Sequence, residues 1–284
     1  MLFSHLLKKK RSRFNDVNTI KIEKNTNCKN NKIVGIKSLK SSEEMGSDID
    51  NFVSIIQSKL ENYNNPVIVK IHDARNIMVL KELAAMRRLK GFDNVVKYIC
   101  DFSCMDDKSR WANKINEPVT FCNNKQDNLH FIVMEYVSNG DISEYIKKAS
   151  IIEIRSLLIQ LVFTILILGT KYKMNHGDLN TGNILIQSTT KKRIVYQYRN
   201  KTYYVKSCGI MPVLIDFGQS SHFSTIQYES IMDEIFTAVK VCVLYIQDDN
   251  LKTAFHTFIH QQFIKNSDSP LGFLHDLKQF FDDQ

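Results

Sequence analysis

The chain has 284 residues, enough to bury a sizeable core as one large domain or as two lobes. Its 43% hydrophobic and 24% charged residues are ordinary for a globular fold, and 10 glycines with 4 prolines exclude a collagen-like or linker-dominated chain. A net charge of +8 raises the question of a polyanionic partner, but Lys8, Lys9, Lys10, Arg11 and Arg13 gather much of that charge into one run.

That run reads as part of a solvated tail; a nuclear address or a phosphate-binding arm is the sharper alternative. The six cysteines, Cys28, Cys100, Cys104, Cys122, Cys208 and Cys242, form no CxxC pair, and no secretory leader is expected ahead of them. Reduced thiols in an intracellular protein are therefore expected. No stretch is read as reaching the ~18 to 20 apolar residues of a bilayer span. The longest apolar run, residues 161 to 169, suits a buried helix, so no membrane partner is expected.

In chain order, residues 1 to 31 are polar, basic and Asn-rich, and predict a flexible tail. "KIVGIKSL" from Lys32 predicts a strand. "FVSIIQSKL" fits either a strand or a short helix, being too short for its period to decide. "NPVIVKIH" predicts a strand with Pro66 at its start, where a missing N–H does least harm. "RNIMVLKELAAMRRLKG" predicts a helix ending near Gly91. "NVVKYICDF" is a further strand, residues 103 to 128 an insertion or long loop, and "LHFIVMEYV" at 129 to 137 a buried strand. Asp141 stands where a helix N-cap belongs, and residues 151 to 172 predict a long apolar helix. The segment 191 to 207 carries two β-rich arms around Arg199-Asn200-Lys201, a hairpin signal. "MPVLIDFGQSS" is a strand running into a loop, and the remainder is mostly helical with Phe-rich faces. Strands thus dominate the first half and helices the second, with polar motifs at the junctions. That is the signature of an α+β chain of two lobes with a cleft.

The stretch "MNHGDLNTGNILI", residues 174 to 186, sets an Asp five residues before an Asn and runs into an apolar strand. A site that orients a hydroxyl and holds a metal nearby needs such a pair. Phosphoryl transfer further needs a cation on the nucleotide phosphates and a second metal-binding carboxylate.

The motifs that could supply these parts occur in an order that resembles the eukaryotic-type protein kinase superfamily, over about residues 33 to 235. The resemblance implies a two-lobed kinase-like fold, with a small β-rich N-lobe at 32–137 (insertion about 103–128) and a reduced helical C-lobe at 138–284 (hairpin insertion about 188–211). "VIVKIH" resembles the strand of the phosphate-binding lysine, Lys70. "KELAAMRRLKGFDNVV" resembles the helix whose glutamate, Glu82, pairs with that lysine. "FIVMEYVSNGDISEYI" resembles the hinge, with Met134 as gatekeeper and backbone groups of Glu135 and Val137 facing adenine. "HGDLNTGN" resembles the catalytic loop, making Asp178 the base and Asn183 a metal ligand, and "LIDFG" makes Asp216 the principal Mg2+ ligand. ATP and Mg2+ are the implied cofactors and a protein the implied substrate. Nucleic acid is not expected beyond non-specific contact by the tail.

The pattern also departs from the family. The phosphate-covering loop has only "EMGSDIDNFVSII", in which Gly46 stands for the first glycine and Val53 for the valine that packs on adenine. Asp48 and Asn51 restrict close backbone approach there. Gly177 replaces the arginine that receives an activation-loop phosphate, implying activity independent of such phosphorylation. Asn180 replaces the lysine of Ser/Thr kinases, and no APE-like element follows. Asp233 is expected to anchor the loop from a helix. The enlarged spacing from Asp178 to Asp216 resembles protein kinases of large DNA viruses, which would put the protein in the host cytoplasm or nucleus, or in the virion. Three functions compete: a kinase acting on protein Ser/Thr in preference to Tyr, a pseudokinase scaffold, and a small-molecule phosphotransferase.

Overall fold

The computed structural model describes residues 19–21, 32–41, 54–60, 65–73, 76–103, 129–265 and 269–283. Gly46, Val53, most of the expected tail and residues 104–128 of the expected insertion lie outside them. The chain divides into two compact units: residues 1–83 with 97–136, and residues 84–96 with 137–284.

The first unit is a six-stranded antiparallel sheet in the order β1-β2-β3-β4-β6-β5. Its strands are β1 (Thr19–Lys21), β2 (Lys32–Ser41), β3 (Ser54–Leu60), β4 (Pro66–Asp73), β5 (Tyr98–Ser103) and β6 (Leu129–Glu135). β1 is a departure from the sequence reading, since it lies inside the stretch taken as a tail and pairs Thr19 with Val34. The strand alternative holds for 54–60, where pairing with β2 on one side and β4 on the other settles what a short apolar run leaves open.

β4 is a central strand buried on both faces. Val67, Val69 and Ile71 are core residues on one side, and Lys70 and His72 are buried on the other. Helix α1 (Ile77–Arg88) begins where the Asn76 side chain accepts the Met78 N–H at 2.9 Å, and Gly91 lies just beyond its end at φ 88°. Its residues Val79, Glu82, Leu83 and Met86 form a buried stripe at helical spacing. The division between the units falls within this helix. Cys100 is disulfide-bonded, against the expectation of reduced thiols, whereas Cys208 and Cys242 are free.

The second unit is built around the helix α3 (Ile151–Lys171), preceded by the short helix α2 (Ile142–Ile146). Asp141 caps α2 by accepting the Glu144 N–H at 3.1 Å. A capping box of Ser150 and Glu153 starts α3. By length and composition α3 could cross a membrane, which corrects the reading that no segment is long enough; 78% of its most apolar window is buried inside the protein. Helix α4 (Tyr228–Val243) packs on α3: a Cβ on Gly169 would meet Ile231 Cγ1 at 2.2 Å, so any larger residue there would force the Ile231 side chain to move. Helices α5 (Asp249–Lys265) and α6 (Pro270–Asp282) follow. They bring Phe255, Phe258, Phe273, Phe280 and Phe281 together at ring separations of 4.6 to 5.9 Å.

Three small antiparallel pairs complete this unit. β7 (Met174–Asn175) pairs with β12 (Ser221–His222), β8 (Ile184–Ser188) with β11 (Ile210–Leu214), and β9 (Arg193–Tyr198) with β10 (Lys201–Lys206). The last pair is the hairpin expected from the sequence; its turn is Arg199-Asn200, both at positive φ, with Lys201 already in the strand.

Candidate active site

In the first unit, β4 and α1 bring Lys70 and Glu82 together. Lys70 Nζ donates to both carboxylate oxygens, at 2.9 and 3.0 Å. The two residues are 7% and 1% exposed, so the pair is dry. Burial alone would raise the Glu82 carboxyl; Lys70 and then His72 outweigh it and hold it at about 2. His72 lies two residues beyond Lys70, on the same strand face, with Nε2 3.5 Å from Glu82 Oε2. Sequence reasoning singled out the Lys–Glu pair and passed over His72. The strand period of two was the available signal, since it puts residue 72 on the face of residue 70.

Met134 is buried on β6, opposite Ile68 on one side and Tyr98 on the other. Glu135 donates its backbone N–H to Lys97 O at 3.0 Å, and its side chain accepts from Asn65 at 2.7 Å. Val137 is buried at the start of the second unit.

In the second unit, Asp178, Asn183 and the residue before Asp216 are joined in a closed circuit of hydrogen bonds. Asn183 Nδ2 donates to Asp178 O at 2.8 Å and to its Oδ2 at 3.0 Å. Asn183 O accepts the Ile215 N–H at 3.0 Å, extending the β8–β11 ladder by one step. Ile215 O is 2.8 Å from His176 Nε2, and Asp178 N–H donates to His176 Nδ1 at 3.3 Å. These two contacts define the tautomer: Nε2 carries the proton and Nδ1 accepts, so the imidazole is neutral. His176 is fully buried, with its ring 4.7 Å from that of Phe217.

Asp216 itself sits at φ 62°, a left-handed conformation that costs an aspartate about 1 to 2 kcal/mol. The circuit on Ile215 and the burial of Phe217 hold the backbone there from both sides. Asn180 Nδ2 donates to Asp178 Oδ1 at 3.2 Å, while its own oxygen caps the 3-10 turn Thr181–Asn183 through Gly182 N–H at 2.9 Å. Each Asp178 carboxylate oxygen thus receives one amide N–H, and the residue remains exposed.

Asn183 spends its amide nitrogen on Asp178, so its amide oxygen is the side-chain atom left that could ligate a hard cation. Among the described residues no cluster of three or more His, Cys, Asp or Glu is placed to hold a metal by itself.

The loop is anchored from α4, but not by Asp233. Glu234 accepts the His176 N–H at 3.0 Å and the Gly177 N–H at 2.6 Å, whereas Asp233 is exposed. Burial raises the Glu234 carboxyl, and the two backbone N–H bonds oppose that. A readable signal separated the two acids: Asp233 falls in register with exposed Glu229, Thr237 and Lys240, and Glu234 with buried Ile231 and Ala238. Gly177 has φ 79°, and a Cβ there would meet Gln219 O at 2.4 Å. Glycine is required at this position by backbone shape and by space.

No protein-family model matches the chain. Over 65 residues it is 43% identical to an uncharacterised protein of Caenorhabditis elegans, covering 23% of this chain and 22% of that one. Two further relatives are named, provisionally, as serine/threonine-protein kinases. One, from Dictyostelium discoideum, is 35% identical over 72 residues, covering 23% of this chain and 6% of that one. The other, from Acanthamoeba polyphaga mimivirus, is 36% identical over 73 residues, covering 24% and 18%. The chain therefore spans less than a quarter of the length of these relatives. A crystal structure titled as a kinase domain overlaps it with a TM-score of 0.42 at 18% identity, covering 69% of this chain and 53% of that one. The ordered motifs and these local matches put the chain's similarity in the protein-kinase-like superfamily.

Proposed function

We propose that the chain is an ATP- and Mg2+-dependent kinase that transfers the γ-phosphoryl group to Ser or Thr of proteins. The observation that carries this reading is the closed circuit through Asp178, His176, Ile215 and Asn183. It fixes the Asp178 carboxylate against the Asn183 amide and sets the backbone that leads into Asp216. A fold that needed only stability would have little use for an aspartate held at positive φ, or for an exposed carboxylate bonded through both of its oxygens.

In this reading Lys70, held by Glu82, binds the nucleotide phosphates. Asp216 and the Asn183 amide oxygen hold the magnesium ion, which would neutralise charge on the transferring phosphates. Asp178 orients the acceptor hydroxyl. As that oxygen bonds to the γ-phosphorus, the bond to the β,γ-bridging oxygen breaks, ADP leaves, and the hydroxyl proton passes to Asp178. Asn183 and Asn180 keep the Asp178 carboxylate in one orientation while it waits. Glu234 and neutral His176 keep the loop in place through its backbone.

A second reading, phosphotransfer to a small-molecule hydroxyl, is favoured by Asn180, which braces Asp178 where Ser/Thr protein kinases present a lysine to the substrate. The test is label transfer from γ-labelled ATP with Mg2+ to generic protein acceptors, beside an Asp178→Asn control. Label on Ser or Thr that disappears in the control is expected. Label confined to amino-alcohols or sugars would move the assignment to the second reading, and no turnover with any acceptor would leave a scaffold.

A further inference from the structure

The hairpin β9–β10 takes no part in the circuit described above, yet its composition is one-sided. Lys191, Lys192, Arg193, Arg199, Lys201 and Lys206 fall on it or beside it, and residues 179 to 215 contain no Asp or Glu. Its inner face is core: Tyr196 is 1% exposed, stacks on Phe163 at 4.9 Å and donates its hydroxyl to Asn94 Oδ1 at 2.9 Å. Its ends are tied as well. Lys191 pairs with Asp93, the Lys206 carbonyl accepts from Ser156, and Arg199 at the turn donates to the Tyr228 hydroxyl at 2.7 Å. The ribbon is thus a fixed platform, and a partner would spend no ordering entropy on it.

The outer face is a column of cross-strand pairs: Arg193 with Lys206, Val195 with Tyr204, Gln197 with Thr202. The first pair sets two like charges directly opposite each other, an arrangement that destabilises a sheet unless an anion lies between them. Neither cation meets an acid among the described residues. The second pair leaves Val195 51% and Tyr204 61% exposed, an unusual place for a β-branched and an aromatic residue to meet water. Successive pairs on one face are two residues apart along each strand, ~7 Å, the same interval that separates same-side side chains in an extended peptide.

We propose that this outer face docks an extended, acidic segment of a protein partner, with an Asp or Glu between Arg193 and Lys206 and an apolar side chain two residues away on Val195 and Tyr204. A nucleic-acid backbone fits less well, because it asks for cations along a path and the face offers one cationic step followed by an apolar and then a neutral one. As a means of recruiting substrates the surface rests on the kinase reading; as a binding site it does not.

The test is fluorescence anisotropy of a labelled peptide repeating Glu-Ser-Leu-Ser against the full chain. Peptides with Lys for Glu or Ser for Leu, and a single-stranded oligonucleotide, are measured in parallel. The acidic peptide is expected to bind saturably, and Arg193→Glu with Lys206→Glu to weaken it about tenfold or more. Tyr204→Ser should weaken it through the apolar position alone, and all three changes lie on exposed side chains that leave melting unaltered. An Asp178→Asn chain should bind the peptide like the parent, so a protein without transfer activity is still tested. Equal binding by the charge-reversed variant, no binding by the parent, or tighter binding of the oligonucleotide through the same residues would overturn the proposal.

Discussion

The Lys70–Glu82 pair and the Asp178 loop hold charged groups by opposite means. The first is an ion pair taken out of water, in which each charge compensates the other and desolvation sharpens both. The second leaves its carboxylate at the surface and spends neutral groups, two amides, an imidazole and backbone N–H donors, on its orientation. The buried pair supplies a cation in a fixed place, at the risk of a large penalty when either member is lost. The exposed loop supplies direction, and its members can be changed one at a time without stranding a charge in the core.

The contrast predicts graded outcomes. Asp178→Asn should lower transfer by about 10²- to 10⁴-fold with little change in melting temperature, because the amide keeps the shape and loses the base. Glu82→Gln should cost about 3 to 5 kcal/mol in urea unfolding, because it strands the Lys70 ammonium. Combining Lys70→Met with Glu82→Leu should cost less than the sum of the single changes, and strict additivity would mean that the pair is not coupled. Gly177→Ala should cost about 1 to 3 kcal/mol, read as a lower midpoint, with transfer falling alongside as Gln219 is pushed away. Asn180→Ala should slow transfer only about fivefold, the worth of one hydrogen bond.

The mildest effect is that of acid. Glu82 titrates at about 2 in the fold and near 4.5 when unfolded, so its contribution is complete above the unfolded value and drains away as pH falls toward 2. Carboxyl chemical shifts followed from pH 6 to about 2 should show Glu82 still ionised after ordinary solvent-exposed carboxylates have been protonated. Protonation of Glu82 alongside them would contradict the dry pair.

Some of this was legible in the residues. Asp141 and the apolar run of α3 are local signals whose physics lies within a turn or two of chain, and they form the cap and helix they imply; the Ser150–Glu153 box was as local a signal and was passed over. The motifs around Asp178 and Asp216 were readable as chemistry, but the link between them was not. It depends on Ile215 and Asn183 continuing a ladder whose register is set by strands separated by the hairpin. Choosing Glu234 over Asp233 turns on the phase of α4, a signal present in the apolar pattern but a fine one, because two adjacent acids differ in phase by only one residue. His72 was missed because a histidine on a strand says little until a buried carboxylate is placed 3.5 Å away.

The hairpin has one more consequence. Its entry and exit strands are direct partners, Ser188 opposite Ile210, so the polypeptide leaves and rejoins the same ladder with no gap to bridge. By connectivity alone the ribbon is a removable cassette that a tight turn could replace. Energetically it is not, because lifting it out would bare Phe163, Gln160 and Asn94 and leave their polar atoms without Tyr196. An excised chain should keep the geometry around Asp178 only if a new apolar cover is supplied, which makes this ribbon a graft that its host has grown around.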